Sequence, residues 1–278
     1  MDIRTALQRG SRLLEEAAIP AARLTAEVLL SRVLQRERAW LYGHPEELLA
    51  DAARAHYDHF LHERLQGKPT QYITGVQEFY GREFLVTPDV FIPRPETEHV
   101  VETALRLAPR AESVLDVGCG SGAISVTLSL ELGPRACVFA TDASLAAIGV
   151  ARANAARLGA AVAFIACDLS STIASRSLDL LVSNPPYIPA GEEAGLPREV
   201  REFEPRAALF AGPEGLDAYR KLAADGARVL RPGGWMILEL GYRQVDAVRA
   251  MLNERWGELE VVPDLAGLPR VLAARLLR

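Results

Sequence analysis

Lysine is almost missing from this chain: Lys68 and Lys221 are the only two among 31 basic residues. That skew toward arginine is read as genome composition, not function. Cysteine is scarce too. Cys119, Cys137 and Cys167 are odd in number and lack metal-ligand spacing, so neither a disulfide framework nor a cysteine zinc site is expected, which fits a reducing compartment. There is no excess of positive charge: 31 basic side chains face 36 acidic ones, for a net charge of -5. The first 94 residues, counted along the sequence, carry 12 basic and 13 acidic groups, so the N-terminus is no basic arm. A surface built for nucleic acid ordinarily carries a basic excess, and no direct nucleic-acid partner is expected. No run approaches the roughly 18 apolar residues of a membrane helix, and the N-terminus lacks the apolar core of a signal peptide. A soluble cytoplasmic protein with no membrane partner is expected. Internal repeats and low-complexity tracts are also lacking.

What is present is 278 residues with 49% apolar side chains, enough to bury the core of one large domain or two smaller ones. Residues 1–67 read as a small helical bundle. Ile3, Leu7 and Leu14 fall on one helical face, and Leu24, Val28 and Leu29 fall on another beyond Pro20. A third helix is expected from Pro45 to Gln66, with Gly67 beyond its end. Leu49, Ala52, His56, Phe60 and Glu63 would share its face. Trp40 and Tyr42 read as core anchors. His56, His59 and His62 recur at every third position without a cysteine or acidic ligand set, and they read as a solvated or partly packed face with no metal.

Residues 68–95 change character. Phe79, Phe84, Val86 and Phe91 are interleaved with Gly75, Gly81, Pro88 and Pro93, which predicts short extended segments and a β-hairpin linker. From residue 96 to 278, helical stretches alternate with the apolar runs Ser113–Val117, Cys137–Thr141, Val162–Ala166, Leu178–Ser183 and Trp235–Leu240. That alternation predicts an α/β domain with a mostly parallel sheet. A helix over Gln244–Trp256 would precede a terminal antiparallel pair, Leu259–Val262 with Val271–Leu277.

Two turns carry chemistry. Val114–Asp116 runs into Gly118-Cys119-Gly120-Ser121-Gly122. Glycines there allow close backbone approach and a tight strand-to-helix turn, and the helix N-terminus offers free N–H groups to a polar ligand. Asp142, 24 residues after Gly118, stands where an acidic side chain can accept both ribose hydroxyls. Gly118, Gly120 and Ala123 also satisfy the dinucleotide fingerprint, so this turn alone admits a nicotinamide cofactor, S-adenosylmethionine or no ligand. Asp116 favours S-adenosylmethionine, since a carboxylate there could bind the ammonium of its methionine moiety. Cys119 is a small residue tolerated in the loop; no histidine stands beside it to make it a nucleophile.

The second turn follows the run Leu178–Ser183: Asn184-Pro185-Pro186-Tyr187. Two prolines remove two donors and fix two φ angles, giving a rigid turn at the carboxyl edge of the sheet, where open α/β folds bind ligands. The Asn184 carboxamide and the Pro185 carbonyl supply two acceptors that could orient a planar NH2 group toward an electrophilic methyl. Tyr187 could flank it, and acceptor dipoles would stabilise the positive charge that develops on nitrogen.

The pair Asp-Val-Gly-Cys-Gly-Ser-Gly and Ser-Asn-Pro-Pro-Tyr resembles the class I amino methyltransferases. Further segments resemble the release factor glutamine methyltransferases, the HemK/PrmC family. These are Pro69–Gly75 with Glu78–Gly81, Ile92–Glu98, Phe203–Leu209, and Asp264–Gly267 with Arg270. They cover essentially the whole chain. The resemblance implies a Rossmann-like seven-stranded sheet with a reversed last strand behind a helical N-terminal domain. It implies S-adenosylmethionine contacts at Gly118, Cys119, Gly120, Ser121, Gly122, Asp142, Asp168, Leu169 and Asn184. It also implies a substrate amide held by Asn184 and Pro185 between Pro186 and Tyr187. The substrate would be the glutamine of a Gly-Gly-Gln loop on a peptide chain release factor. Leu169 departs from the family, where that position is often aromatic and covers adenine; leucine stacks less. Thr97 or Arg94 is expected near the cofactor. Phe91 and Ile92 read either as lining of the site's mouth or as core.

Rival readings stand beside this one. A nucleic-acid amino methyltransferase would need a basic recognition surface. A ribosomal-protein glutamine methyltransferase shares the same amide chemistry. A cofactor-sensing binding module would not need the Asn-Pro-Pro-Tyr turn, and a nicotinamide dehydrogenase would need a Tyr-x-x-x-Lys or similar arrangement that the sequence lacks.

Overall fold

In the computed structural model, which describes residues 1–277, the chain divides into two compact units: Met1–Val76 with Pro197–Phe203, and Gln77–Leu196 with Glu204 to the C-terminus.

The first unit is helical, with α1 (Ile3–Glu16), α2 (Ala22–Leu34), α3 (Arg38–Gly43), α4 (Asp51–Leu65) and α5 (Thr70–Thr74). Its core gathers Ile3, Leu14, Leu29, Leu30, Tyr57 and Leu61. Gly10 permits the tightest contact: a Cβ there would lie 2.2 Å from the Tyr57 hydroxyl. The expected helix from Pro45 begins only at Asp51. The chain N-terminus claims the intervening backbone. Asp2 pairs with Leu48, Pro45 O and Glu47 O accept from Arg4 N and Ile3 N, and Asp2 Oδ1 accepts from Thr5 N at 2.7 Å. The free donors at the start of α1 are thereby satisfied. Two expected faces are also displaced. In α4 the buried residues are Tyr57, Phe60, Leu61 and Arg64, and His56, His59 and His62 are all exposed. In α2 the ion-paired Glu27 turns inward, held by Arg23 and Arg38, so Leu24 lies outside while Ala26, Leu29 and Leu30 are buried. Tyr42 is 52% exposed and is no core anchor, whereas Trp40 is half-buried and stacks on His44.

A hairpin opens the second part of the chain: β1 (Val76–Phe79) and β2 (Arg82–Leu85). Its two turn residues, Tyr80 and Gly81, both have positive φ, as a tight hairpin turn requires. Then follow α6 (Glu98–Leu107), β3 (Ser113–Val117), α7 (Ala123–Leu132), β4 (Cys137–Asp142), α8 (Leu145–Leu158), β5 (Val162–Ala166) and β6 (Leu178–Ser183). After α9 (Arg198–Phe203), which belongs to the helical unit, come α10 (Asp217–Val229), β7 (Leu230–Glu239), α11 (Val245–Met251), β8 (Trp256–Pro263) and β9 (Pro269–Leu276). The seven strands lie in the order β5-β4-β3-β6-β7-β9-β8. The first five are parallel, and β9 runs antiparallel to both β7 and β8.

Alternate residues of each strand feed opposite faces. Val114, Leu180, Val182 and Ile237 pack with Val100, Ala104 and Val126 on one side; Leu115, Leu181, Met236 and Leu238 pack with Tyr219, Leu222 and Val248 on the other. Each fully buried valine, leucine, isoleucine or methionine among them stabilises the fold by about 1.5–3 kcal/mol. The chain runs β3, β4, β5 outward and then returns to β6 on the other side of β3. That reversal places the carboxyl ends of β3 and β6 at the crevice where open α/β sheets bind ligands. The expected helix to Trp256 stops at Met251, because Trp256 is drawn under the sheet and pairs with Leu276. Among the described residues no helix is long and apolar enough to cross a membrane.

Candidate active site

Four strand ends surround one cavity of about 690 Å³. At the end of β3 the chain turns through Gly118, Gly120 and Gly122, with φ of +73°, +53° and +80°. Gly118 N and Cys119 N both donate to Thr141 O, at 2.8 and 2.9 Å, and Gly122 N donates to Cys119 O at 2.7 Å. Asp142, at the end of β4, braces the loop from the far side: its Oδ2 accepts from Gly120 N at 3.0 Å and its Oδ1 from Ser144 N at 2.8 Å. A Cβ on Gly118 or Gly120 would meet nothing within 4 Å among the described residues, so backbone alone borders the cavity there. That open backbone cradle, with a carboxylate beside it, fits the methionine and ribose parts of S-adenosylmethionine.

Gly118, Cys119, Gly120, Ser121, Asp142, Asp168, Leu169, Asn184, Pro185, Pro186 and Tyr187 all line this cavity. Gly122 sits behind it, 3.1 Å from Ala151 Cβ when given a Cβ of its own. Asp116 does not line it either. Asp116 is 1% exposed and its carboxylate caps α7, with Oδ2 accepting from Ser125 N at 3.0 Å and Oδ1 without a hydrogen-bond partner among the described residues. Burial pushes Asp116 up to about 7, against the Ser125 hydrogen bonds. The hydrogen bond this carboxylate makes thus goes to α7, behind the cavity lining. Burial likewise pushes the Cys119 thiol up.

The Leu169 backbone has φ +49°, a left-handed conformation that a non-glycine residue holds only under tertiary constraint. The neighbour supplies it: Ser170 is fully buried, its hydroxyl donates to Asp225 at 2.6 Å, and Arg228 donates to its carbonyl at 2.7 Å. The Asp168 side chain is 74% exposed and lies 3.8 Å from Lys221 Nζ.

The Asn184–Tyr187 turn leaves β6 and is held from several sides. Gln244 Nε2 donates to Tyr187 O at 2.9 Å, and Ile188 N donates to Leu209 O. Gly215 must be glycine for this approach, since a Cβ would lie 2.2 Å from Tyr187 O. Burial first, and Glu239 next, push the Tyr187 phenol up to about 12, so it stays neutral. Asn184 Nδ2 donates to Thr97 Oγ1 at 3.0 Å, and Thr97 Oγ1 donates to Glu239 Oε2 at 2.6 Å. Of the two residues expected near the cofactor, Thr97 lines the cavity; Arg94 instead pairs with the buried Glu204 and lies 4.6 Å over the Phe91 ring. Phe91 lines the cavity and Ile92 is buried.

Three supporting residues escaped sequence reading. Glu239 carried a signal, a lone acid in an otherwise apolar strand. Gln244 carried none. Asn154 carried none either, yet it is fully buried and ties the hairpin to the glycine turn: its Nδ2 donates to Leu85 O and Ser121 O, both at 2.9 Å, and its Oδ1 accepts from Leu85 N at 2.7 Å.

The sheet with its reversed last strand and the glycine turn facing an Asn-Pro-Pro-Tyr turn define a class I S-adenosylmethionine-dependent methyltransferase. Comparisons with known proteins narrow this. The PrmC N-terminal domain matches residues 5–75, and the methyltransferase small domain matches residues 97–196. A release factor glutamine methyltransferase of Koribacter versatilis is 47% identical over 278 residues, covering 99% of each chain. One from Geobacter sulfurreducens is 42% identical, covering 99% of this chain and 96% of its own. Among solved structures, a Pyrococcus furiosus methyltransferase shares the fold at TM-score 0.53 and 19% identity, over 71% of this chain and 90% of its own. A Thermus thermophilus 16S rRNA methyltransferase (RsmC), solved with AdoMet and guanosine, does so at TM-score 0.53 and 21% identity, over 73% of this chain and 50% of its own. The chain belongs to the release factor glutamine methyltransferase family.

Proposed function

We propose that this protein transfers a methyl group from S-adenosylmethionine to the side-chain amide nitrogen of the glutamine in the Gly-Gly-Gln loop of a peptide chain release factor. The observation that carries the reading is the placement of the Asn184–Tyr187 turn and the Gly118–Gly120 backbone on one cavity, in a chain 47% identical to a relative of that name over its full length. Bound S-adenosylmethionine would supply an electrophilic methyl: the N–C bond would form as the S–C bond breaks, sulfur keeping the electron pair, and the methylated nitrogen would then release a proton to water.

The chain's own residues do the rest. Gly118, Cys119, Gly120 and Ser121 offer backbone to the methionine moiety, with Gly122 setting the turn. Asp142 accepts the ribose hydroxyls through lone pairs left over from its loop contacts. Leu169 packs on adenine beside Asp168. The Asn184 carboxamide oxygen and the Pro185 carbonyl accept from the substrate NH2 and aim its lone pair, while Pro186 and Tyr187 wall the amide. An amide nitrogen becomes acidic only as it gains the methyl, so no strong base is needed beforehand. Acceptor dipoles stabilise the developing charge.

The helical unit, residues 1–67 in its sequence-defined extent, recognises the protein substrate; the 68–95 segment links it to the methyltransferase domain of residues 96–278. The balance of 31 basic and 36 acidic side chains supports docking on protein rather than on nucleic acid, and unpaired Cys119, Cys137 and Cys167 suit the cytoplasm.

Asn184→Ala tests the chemistry. Turnover on the release factor is expected to fall at least a hundredfold, with S-adenosylmethionine affinity within about threefold of the parent. Full activity in this variant would sink the mechanism.

A further inference from the structure

Asn184 is the centre of the proposed chemistry, yet a carboxamide can face a cavity with either end. Only its oxygen can accept from a substrate NH2; its own NH2 would repel one. Nothing in the Asn-Pro-Pro-Tyr turn itself decides between the two orientations. The decision lies in Thr97 and Glu239. Both are almost fully buried, at 3% and 2% exposure, and they stand in a row with Asn184: Asn184 Nδ2 to Thr97 Oγ1 at 3.0 Å, then Thr97 Oγ1 to Glu239 Oε2 at 2.6 Å. A threonine hydroxyl has one proton. When that proton goes to an ionised carboxylate, which can only accept, the hydroxyl oxygen must accept in turn, and the Asn184 NH2 is drawn to it. The Asn184 oxygen is then left for the cavity.

We propose that Thr97 is a positioning residue, which together with ionised Glu239 fixes the Asn184 carboxamide with its oxygen toward the substrate. The inference rests on the proposed glutamine methylation for its functional meaning, but the relay itself is a property of the protein alone. It has a built-in reversal. A protonated Glu239 can donate to Thr97, whose hydroxyl proton is then free to turn toward Asn184, and the carboxamide inverts to accept it. The surroundings place that switch near neutrality. Burial pushes Glu239 up to about 7, opposed by the Thr97 hydrogen bond and by Arg270 and Arg94, and reinforced by Glu96. The Tyr187 and Tyr219 phenols also face it and stay neutral, Tyr219 donating to the Glu239 backbone carbonyl at 2.9 Å.

Two measurements test this. The chain has only three asparagines, Asn154, Asn184 and Asn253, so asparagine-selective 15N labelling resolves each side-chain NH2. In the parent protein without ligand, the Asn184 NH2 resonance is expected to titrate with a midpoint near 7, while Asn154 and Asn253 stay still. Glu239→Gln abolishes that titration. A pH-independent Asn184 signal from pH 5.5 to 8.5, or a titration that survives Glu239→Gln, overturns the relay whether or not the protein methylates release factors. The second measurement is turnover on release factor. Thr97→Val is expected to lower kcat about a hundredfold with S-adenosylmethionine affinity within threefold, and Thr97→Ser to restore kcat to within about fivefold. Parental kcat decreases as pH falls through about 7, and Glu239→Gln removes that decrease. If Thr97→Val keeps parental kcat, or if Thr97→Ser fails along with it, the positioning role is wrong. Parental inactivity on release factor with an intact Asn184 titration would instead remove the substrate assignment and leave the relay standing.

Discussion

Asp116→Asn should stabilise the ligand-free protein, and only in one direction of pH. Asp116 is 1% exposed; one carboxylate oxygen caps α7 and the other has no hydrogen-bond partner among the described residues. Burial holds its folded-state value at about 7 against an ordinary 3.8. A carboxyl whose folded value is raised binds its proton more tightly in the native state. It therefore contributes stability that is complete below about pH 4 and is lost as pH rises toward 7. Integrated over that window, the ionised side chain costs up to about 4 kcal/mol. Asparagine keeps the acceptor for Ser125 N and never ionises. After relaxation of the site and the residual cost of burying an amide, a net gain of about 2 kcal/mol is expected at pH 8, or roughly 4–8 °C in melting midpoint for a domain of this size. Thermal unfolding of both proteins from pH 4.5 to 8.5 reads it directly: the two midpoints converge at the acid end and separate up to about pH 7. An asparagine variant less stable than the parent at pH 8, or a difference that does not change with pH, would refute the argument from burial.

Other consequences follow from the same geometry. Asn154→Ala leaves Leu85 N, Leu85 O and Ser121 O without their shared partner and is expected to lower stability by about 2–4 kcal/mol in urea denaturation; a loss below 0.5 kcal/mol would contradict the bracing role. Gly122→Ala forces a Cβ into a φ of +80° and to 3.1 Å from Ala151 Cβ, with an expected loss of about 1–3 kcal/mol and weaker S-adenosylmethionine binding by calorimetry.

Much of the catalytic domain was legible because buried parallel strands are short apolar runs closed by turn residues. Ser113–Val117, Val162–Ala166 and Leu178–Ser183 stand in the structure at the limits the sequence suggests, and β4 extends the expected run by Asp142 alone. The two chemical turns were equally legible, since glycine and proline announce backbone geometry locally. What failed depends on distant partners. The Pro45–Leu49 stretch has helix-compatible residues but bonds to the chain N-terminus, and Trp256 leaves its helix to bury under the sheet. Thr70–Thr74 lies in a segment read as extended yet makes a single helical turn closed by Gly75 at φ +77°. Within the site, residues that would touch ligand could be read from motif and spacing. Those that hold them could not: Glu239 is 142 positions from Thr97, and Asn154 is 69 from Leu85. Asp116, a carboxylate beside the ligand loop, makes its bond to the helix behind it, a role that motif and spacing did not show.

The central claim is tested most directly by supplying methyl-labelled S-adenosylmethionine and unmethylated release factor to the purified protein, with a Gly-Gly-Ala form of the release factor in parallel, and locating any added methyl by mass spectrometry. One methyl on the Gly-Gly-Gln glutamine, and none on the alanine form, is the predicted result. No transfer to that glutamine from a protein that binds S-adenosylmethionine would contradict the substrate assignment.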